Sequence, residues 1–134
     1  LELKPVFAIN ETVVVADRQI DLRLVQNPTS FQKNLDELVG DELPLMLMAG
    51  RDIHDPSWLW TVDFSKLNRV EIVGGFNASD LALRLRFQGV EVGQVITEAT
   101  EAGDVFLRLS GARPTVLFSA DAMRRVRRHW GLAK

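Results

Sequence analysis

Leu45-Met46-Leu47-Met48-Ala49 is an unbroken apolar run that follows Pro44 and is cut off by the polar stretch Gly50-Arg51-Asp52-Ile53-His54-Asp55-Pro56. A strand wetted on one face alternates apolar and polar residues. A strand covered on both faces is apolar throughout, which is how strands of a helix-covered parallel sheet read. Arg69-Val70-Glu71-Ile72-Val73, closed by Gly74-Gly75, reads as a second buried strand, and Pro114-Thr115-Val116-Leu117-Phe118 as the last one.

The segments between these runs carry helical signals. Asn27-Pro28-Thr29-Ser30 is a helix start, with Phe31, Leu35 and Leu38 at helical spacing and Gly40 at the stop. Asn77 or Ser79 is placed to cap a second helix that turns Leu81, Leu85 and Phe87 inward and ends at Gly89. Val90-Glu91-Val92 and Val95-Ile96 form a weaker strand region. Glu98 to Leu109 reads as helix, interrupted by Gly103, and Ala120 to Trp130 as the last helix. Strands alternating with helices predict an α/β fold with a mostly parallel sheet covered on both faces.

Residues 1–25 read differently. Val6-Phe7-Ala8-Ile9 and Thr12-Val13-Val14-Val15 flank a turn at Asn10-Glu11. Asp17-Arg18 turns the chain into Ile20-Asp21-Leu22-Arg23-Leu24-Val25, which alternates as a half-buried strand. These are extra N-terminal strands on the α/β unit of residues 26–134, and the whole of 1–134 reads as a single domain.

Composition narrows the function. The chain has 134 residues, 46% hydrophobic and 25% charged, enough for one packed core. A net charge of −2 argues against a general nucleic-acid binder. With no Cys there is no disulfide, thiolate metal site or Cys nucleophile, and with two His, His54 and His129, no multi-His metal site. No apolar run reaches the length of a membrane span. Leu1-Glu2-Leu3-Lys4-Pro5 has no initiator Met and is not a signal peptide, so the chain is expected to be a fragment or a processed form.

The chemistry-bearing stretch is the loop after the first apolar run. In open α/β sheets sites lie at the carboxyl ends of the strands, and this loop holds Arg51, Asp52, His54 and Asp55, followed by Ser57, Trp58 and Trp60. A carboxylate there can orient an imidazole, hold a cation or act as a base. Equally, Asp55-Pro56-Ser57 suits a plain turn and helix cap, and the tryptophans suit a core. Gly74-Gly75-Phe76-Asn77 joins a strand to a helix without the dinucleotide fingerprint. Arg124, Arg125, Arg127, Arg128 and His129 form either a solvated helix face or a docking surface for an acidic partner, and Arg84 and Arg86 are expected to be exposed. Neither a Walker A loop nor a G-x-S-x-G elbow is present.

Four stretches taken together resemble the MurT C-terminal domain family. They are Leu24-Val25-Gln26-Asn27-Pro28 with Phe31; the block Asp52-x-x-Asp55-x-Ser57-Trp58-Leu59-Trp60; Val62-Asp63-Phe64; and Asp80-Leu81-Ala82-Leu83-Arg84-Leu85. The likeness covers about residues 22 to 130. It departs from the family pattern at Ile53, at Leu47-Met48-Ala49, at Asn77 and at Ser119-Ala120-Asp121-Ala122-Met123.

The resemblance implies a Rossmann-like, three-layer domain of Mur ligase C-terminal type. MurT is the Mur-ligase-like subunit of lipid II isoglutaminyl synthase, a cytoplasmic ligase of peptidoglycan and cell-wall biosynthesis that amidates D-glutamate in lipid II at the cost of ATP. ATP, Mg and a structural Zn are expected in a central domain absent from this sequence, and no cofactor in the chain itself. The expected partner is GatD, a glutamine amidotransferase whose Cys–His site this domain would complete with a carboxylate. Lipid II would be reached through the full-length protein, and the isolated domain would be inactive. Asp55 is the expected triad residue with Asp52 the alternative, and His54, Ser57, Trp58, Trp60 and Asn77 are candidate support or interface residues. The rival reading is a non-catalytic interaction or regulatory domain that kept the fold and lost the Asp role. A self-contained hydrolase using His54 and Asp55 lacks a nucleophile.

Overall fold

Ala16 and Asp17 both take positive φ, 52° and 64°, as a two-residue type I′ hairpin turn requires. They join β1 (Asn10–Val15) to β2 (Arg18–Leu24) in an antiparallel pair. The computed structural model describes residues 10–132, so the strand expected over Val6–Ile9 lies outside them. Asn10 and Glu11, expected as a turn, are the first residues of β1 and pair with Arg23 and Leu22. Pairing with β2 holds them in extended backbone, and Glu11 binds Arg127 from the far end of the chain.

The chain then alternates: α1 (Pro28–Glu37), β3 (Leu45–Met48), a 3-10 helix (Pro56–Thr61), β4 (Arg69–Gly74), α2 (Ala78–Phe87), β5 (Glu91–Ile96), α3 (Ala99–Leu107), β6 (Thr115–Phe118) and α4 (Ala120–His129). The sheet has six strands in the order β1-β2-β6-β3-β4-β5. β2 joins it parallel to β6, and every other pair is parallel except β1 with β2. This is the Rossmann-like architecture expected of a Mur ligase C-terminal domain.

The pleat sorts the apolar runs into two cores. Leu45, Leu47, Ala49, Val73 and Leu117 face one side, under α1, the 3-10 helix and α2. Met46, Met48, Ile72, Val116 and Phe118 face the other, under α3 and α4. Burial of a Leu or Phe of this kind contributes roughly 1.5–3 kcal/mol, so each layer of helices is held by several such contacts.

Helix boundaries follow local chemistry. Asn27 accepts from the Ser30 N–H while Ser30 Oγ reaches back to the Asn27 backbone, a reciprocal cap, with Pro28 in the first turn. α1 stops at Glu37, before Gly40, because the Glu42 carboxylate takes the N–H groups of Val39 and Gly40 and fixes a turn there. Gly103, a poor helix former, lies inside α3 because the Trp130 indole packs against it, 3.2 Å from where a Cβ would stand. In α2, Ala78, Leu81, Ala82 and Leu85 are buried, whereas Phe87, expected inward, is exposed. Leu81 and Leu85 already fill the core-facing stripe, and Phe87 follows the phase of Leu83 on the outer face.

Candidate functional site

β3, β4, β5 and β6 end side by side, and the loop after Met48 leaves the sheet at their centre. Two neighbouring strand–helix junctions fasten it. From the β4–α2 junction, the Asn77 side-chain amide donates to the carbonyls of Gly50 and Ile53, at 2.9 Å each, and its backbone N–H donates to Ala49 O at 2.8 Å. From the β6–α4 junction, Ser119 Oγ accepts the Gly50 N–H at 2.9 Å and donates to Asp52 Oδ1 at 2.7 Å. Asp121 Oδ2 takes the Arg51 N–H at 3.1 Å. Gly75 sits at φ 98° with the Ala49 carbonyl 2.5 Å from where a Cβ would be, so only glycine lets β4 turn away this close to the loop.

Asn77 therefore corrects its expected role. It occupies the first position before α2, but no side-chain bond caps the helix, and Ser79 is exposed inside it. The nearly buried amide is spent on the loop instead, because two orphan carbonyls there need a donor.

Asp52 and Asp55 are both exposed. Asp55 ends the loop and caps the 3-10 helix: its Oδ1 accepts from Ser57 Oγ at 2.7 Å and from the Ser57 N–H at 3.1 Å. These two donors hold the carboxyl below its ordinary range, the hydroxyl contributing most. Asp55 Oδ2 and Asp52 Oδ2 have no hydrogen-bond partner among the described residues. Each aspartate thus has one oxygen fixed by a serine and the other open. His54 is exposed beside them and bonds to neither.

The two tryptophans part company. Trp58 is half-buried, edge-on to Phe31 at 6.3 Å, and packs on the core beneath α1. Trp60 lies outside it, against Phe87 at 5.4 Å. Arg84, expected to be exposed, is half-buried because its guanidinium lies over Trp60 and its Nη2 donates to Val62 O at 2.8 Å.

On the other flank of the loop is a cleft of about 330 Å³ at the strand ends, bounded by Arg51, Gly75, Phe76, Glu98, Asp121 and Arg125. Arg51 stacks on Phe76 at 4.2 Å, and Arg125 pairs with Asp121 at 3.1 Å. Burial pushes the Asp121 carboxyl up, but the Arg51 N–H and Arg125 together bring it below its ordinary value. The arginines of α4 are likewise divided: Arg125 and Arg127 are ion-paired, His129 meets Asp104 at 2.9 Å, and Arg124 and Arg128 are exposed. Among the described residues no group of three His, Cys, Asp or Glu side chains is placed to hold a metal ion, and no helix is long and apolar enough to cross a membrane.

Sequence reasoning placed Asp52, His54, Asp55 and the tryptophans in one loop, and missed Ser119 as its brace. The available signal was position: Ser119 directly follows the last strand, at the same end of the sheet.

The family model for the MurT ligase C-terminal domain matches residues 24–115, from the last residue of β2 through the whole of this loop to the first residue of β6. The chain belongs to the MurT ligase C-terminal family. A curated relative is the lipid II isoglutaminyl synthase (glutamine-hydrolyzing) subunit MurT of Streptococcus pneumoniae (strain ATCC BAA-255 / R6), 27% identical over 111 residues, which cover 76% of this chain and 25% of the relative. The chain thus spans about a quarter of that MurT subunit's length. The matched region of the MurT family carries Asp52, Asp55, Ser57, both tryptophans and Asn77, and stops before Ser119 and α4.

Proposed function

We propose that this chain is the C-terminal domain of a MurT-type subunit of lipid II isoglutaminyl synthase, and that it docks a GatD-type glutamine amidotransferase and supplies a carboxylate to its Cys–His site. What carries the reading is a family match across a loop whose two exposed aspartates each keep one oxygen open while a serine fixes the other.

The chemistry needs that arrangement. Glutamine hydrolysis uses a thiolate nucleophile and a histidine that takes and returns a proton. A carboxylate on the far imidazole nitrogen selects the tautomer and stabilises the imidazolium. It must be ionised, have an unshared oxygen and sit on a rigid support, because an error of about 1 Å is costly. Asp55 meets these conditions: it is exposed, held below its ordinary pKa, and set at the head of a 3-10 helix packed on the core. Asp52 is the alternative. Delivering the carboxylate from another subunit ties ammonia release to assembly. In the full-length protein, ATP with Mg would activate the D-glutamate α-carboxylate of lipid II as an acyl phosphate, and ammonia would attack its carbonyl carbon, forming the amide as inorganic phosphate leaves. That ATP site and a structural Zn belong to residues outside this chain, and the reaction takes place in the cytoplasm.

The test is glutaminase activity of the assembled complex. Asp55→Asn is expected to lower kcat on the order of 10²–10⁴-fold with complex formation intact. Wild-type turnover in Asp55→Asn and a collapse in Asp52→Asn would transfer the role to Asp52. Wild-type turnover in both would leave the rival, a docking or regulatory domain. That rival is favoured by one observation: both bonds to Asp55 come from its own turn, as in an ordinary helix cap.

A further inference from the structure

Leu83 and Phe87 lie one helical turn apart on the outer side of α2, 58% and 74% exposed, opposite the stripe that packs on the core. Trp60 comes from the 3-10 helix to lie against Phe87, its own surface 38% exposed. The Arg84 guanidinium lies over that indole, 5.1 Å from the ring centre. Single exposed apolar side chains are ordinary, but two large aromatic rings in contact, with Leu83 one helical turn along the same exposed stripe, mark a binding face.

We propose that this Trp60–Leu83–Phe87 flank seats the amidotransferase subunit, as the apolar centre of the same interface that Asp55 serves; the inference rests on the function proposed above. Position and charge choose the occupant. Asp55 caps the 3-10 helix and Trp60 is its fifth residue, about 10 Å away at a rise of roughly 2 Å per residue. A standard interface takes about 800 Å² from each partner and so is roughly 30 Å across. A protein that brings an imidazole to Asp55 with that residue near the middle of its footprint therefore covers Trp60 and, through the Trp60–Phe87 contact, reaches α2. On the helical wheel, Leu83 and Phe87 are flanked by Arg84 on one side and Arg86 on the other, with Asp80 in the first turn of α2. Arg86 has no ion-pair partner among the described residues. The complementary surface is an apolar socket that accepts an aromatic pair, with carboxylates facing Arg86. Trp and Arg are also among the residue types that most often carry interface energy, and Phe is enriched at interface cores.

The experiment titrates the full-length subunit carrying this chain with the GatD-type amidotransferase of the same genome, reading Kd by calorimetry and glutaminase activity alongside. Leu83→Glu with Phe87→Glu is expected to weaken Kd at least about 100-fold, and Trp60→Ala about 30-fold, as for central interface residues. Asp55→Asn is expected to leave Kd within about threefold while turnover falls. An unchanged Kd in the Leu83/Phe87 variant overturns the docking flank and leaves the Asp55 role standing. No binding by the wild-type subunit overturns both. Loss of self-association with amidotransferase binding intact also overturns the proposal, making the flank a contact between copies. If the double variant fails to fold, the exposed Arg86→Glu decides: a weaker complex at low salt that converges on wild type at high salt supports the interface, and an unchanged Kd at every salt concentration overturns it.

Discussion

The hydroxyl of Ser119 donates to Oδ1 of Asp52 across 2.7 Å while its oxygen accepts the buried N–H of Gly50 at 2.9 Å. One side chain at the end of β6 thus fixes the path of the loop that leaves β3 and aims a carboxylate. Ser119→Ala removes the acceptor of a buried N–H, a loss of about 1–3 kcal/mol. A lower urea midpoint with an unchanged slope is the expected result. A midpoint equal to wild type would mean that the loop is held elsewhere.

Asn77 braces the same loop from the opposite side. Asn77→Ala leaves the carbonyls of Gly50 and Ile53 without their donor and is expected to cost about 1–3 kcal/mol. Asn77→Asp should cost more, because a nearly buried carboxylate would face two carbonyl oxygens. Thermal unfolding of the pair at neutral pH checks the ranking.

Ser57 sets the charge of Asp55. The carboxyl is expected to titrate below its ordinary value of 3.8, and Ser57→Ala to return it towards that value, since the hydroxyl is the larger of the two lowering contacts. Carboxyl carbon shifts followed by NMR against pH measure both. Because the folded pKa is depressed, Asp55 of the free chain is ionised at neutral pH in the wild type and in Ser57→Ala alike, so the substitution changes its titration without removing its charge there.

Glu42 makes the fold acid-sensitive. Burial pushes its carboxyl up, but the N–H groups of Val39 and Gly40 bring it below its ordinary value of 4.5. A depressed folded pKa stabilises the protein above the unfolded value, and the gain is lost as pH falls through the folded one. Urea midpoints should be flat from pH 7 to about 5 and fall below that, and Glu42→Ala should lower the plateau by about 1–2 kcal/mol and flatten the acid limb. An acid limb of undiminished slope in the variant would assign the sensitivity to other carboxylates.

What the sequence determined is whatever depends on neighbours along the chain. The apolar run Leu45–Ala49 had to be a strand covered on both faces, and Asn27 with Ser30 had to begin a helix, because those preferences are set within a few residues. The loop carrying Asp52 and Asp55 was legible for the same reason: it follows a buried strand and leads into a Pro-Ser-Trp start. Tertiary structure decided the rest. α2 offers two apolar stripes, Leu81 with Leu85 and Leu83 with Phe87, and only packing on the sheet chooses which is buried. Asn77 has the chemistry of a cap and is spent on carbonyls 27 and 24 positions away. Ser119 meets Asp52 across 67 positions, because parallel strands gather their carboxyl ends at one edge of the sheet whatever their distance in sequence.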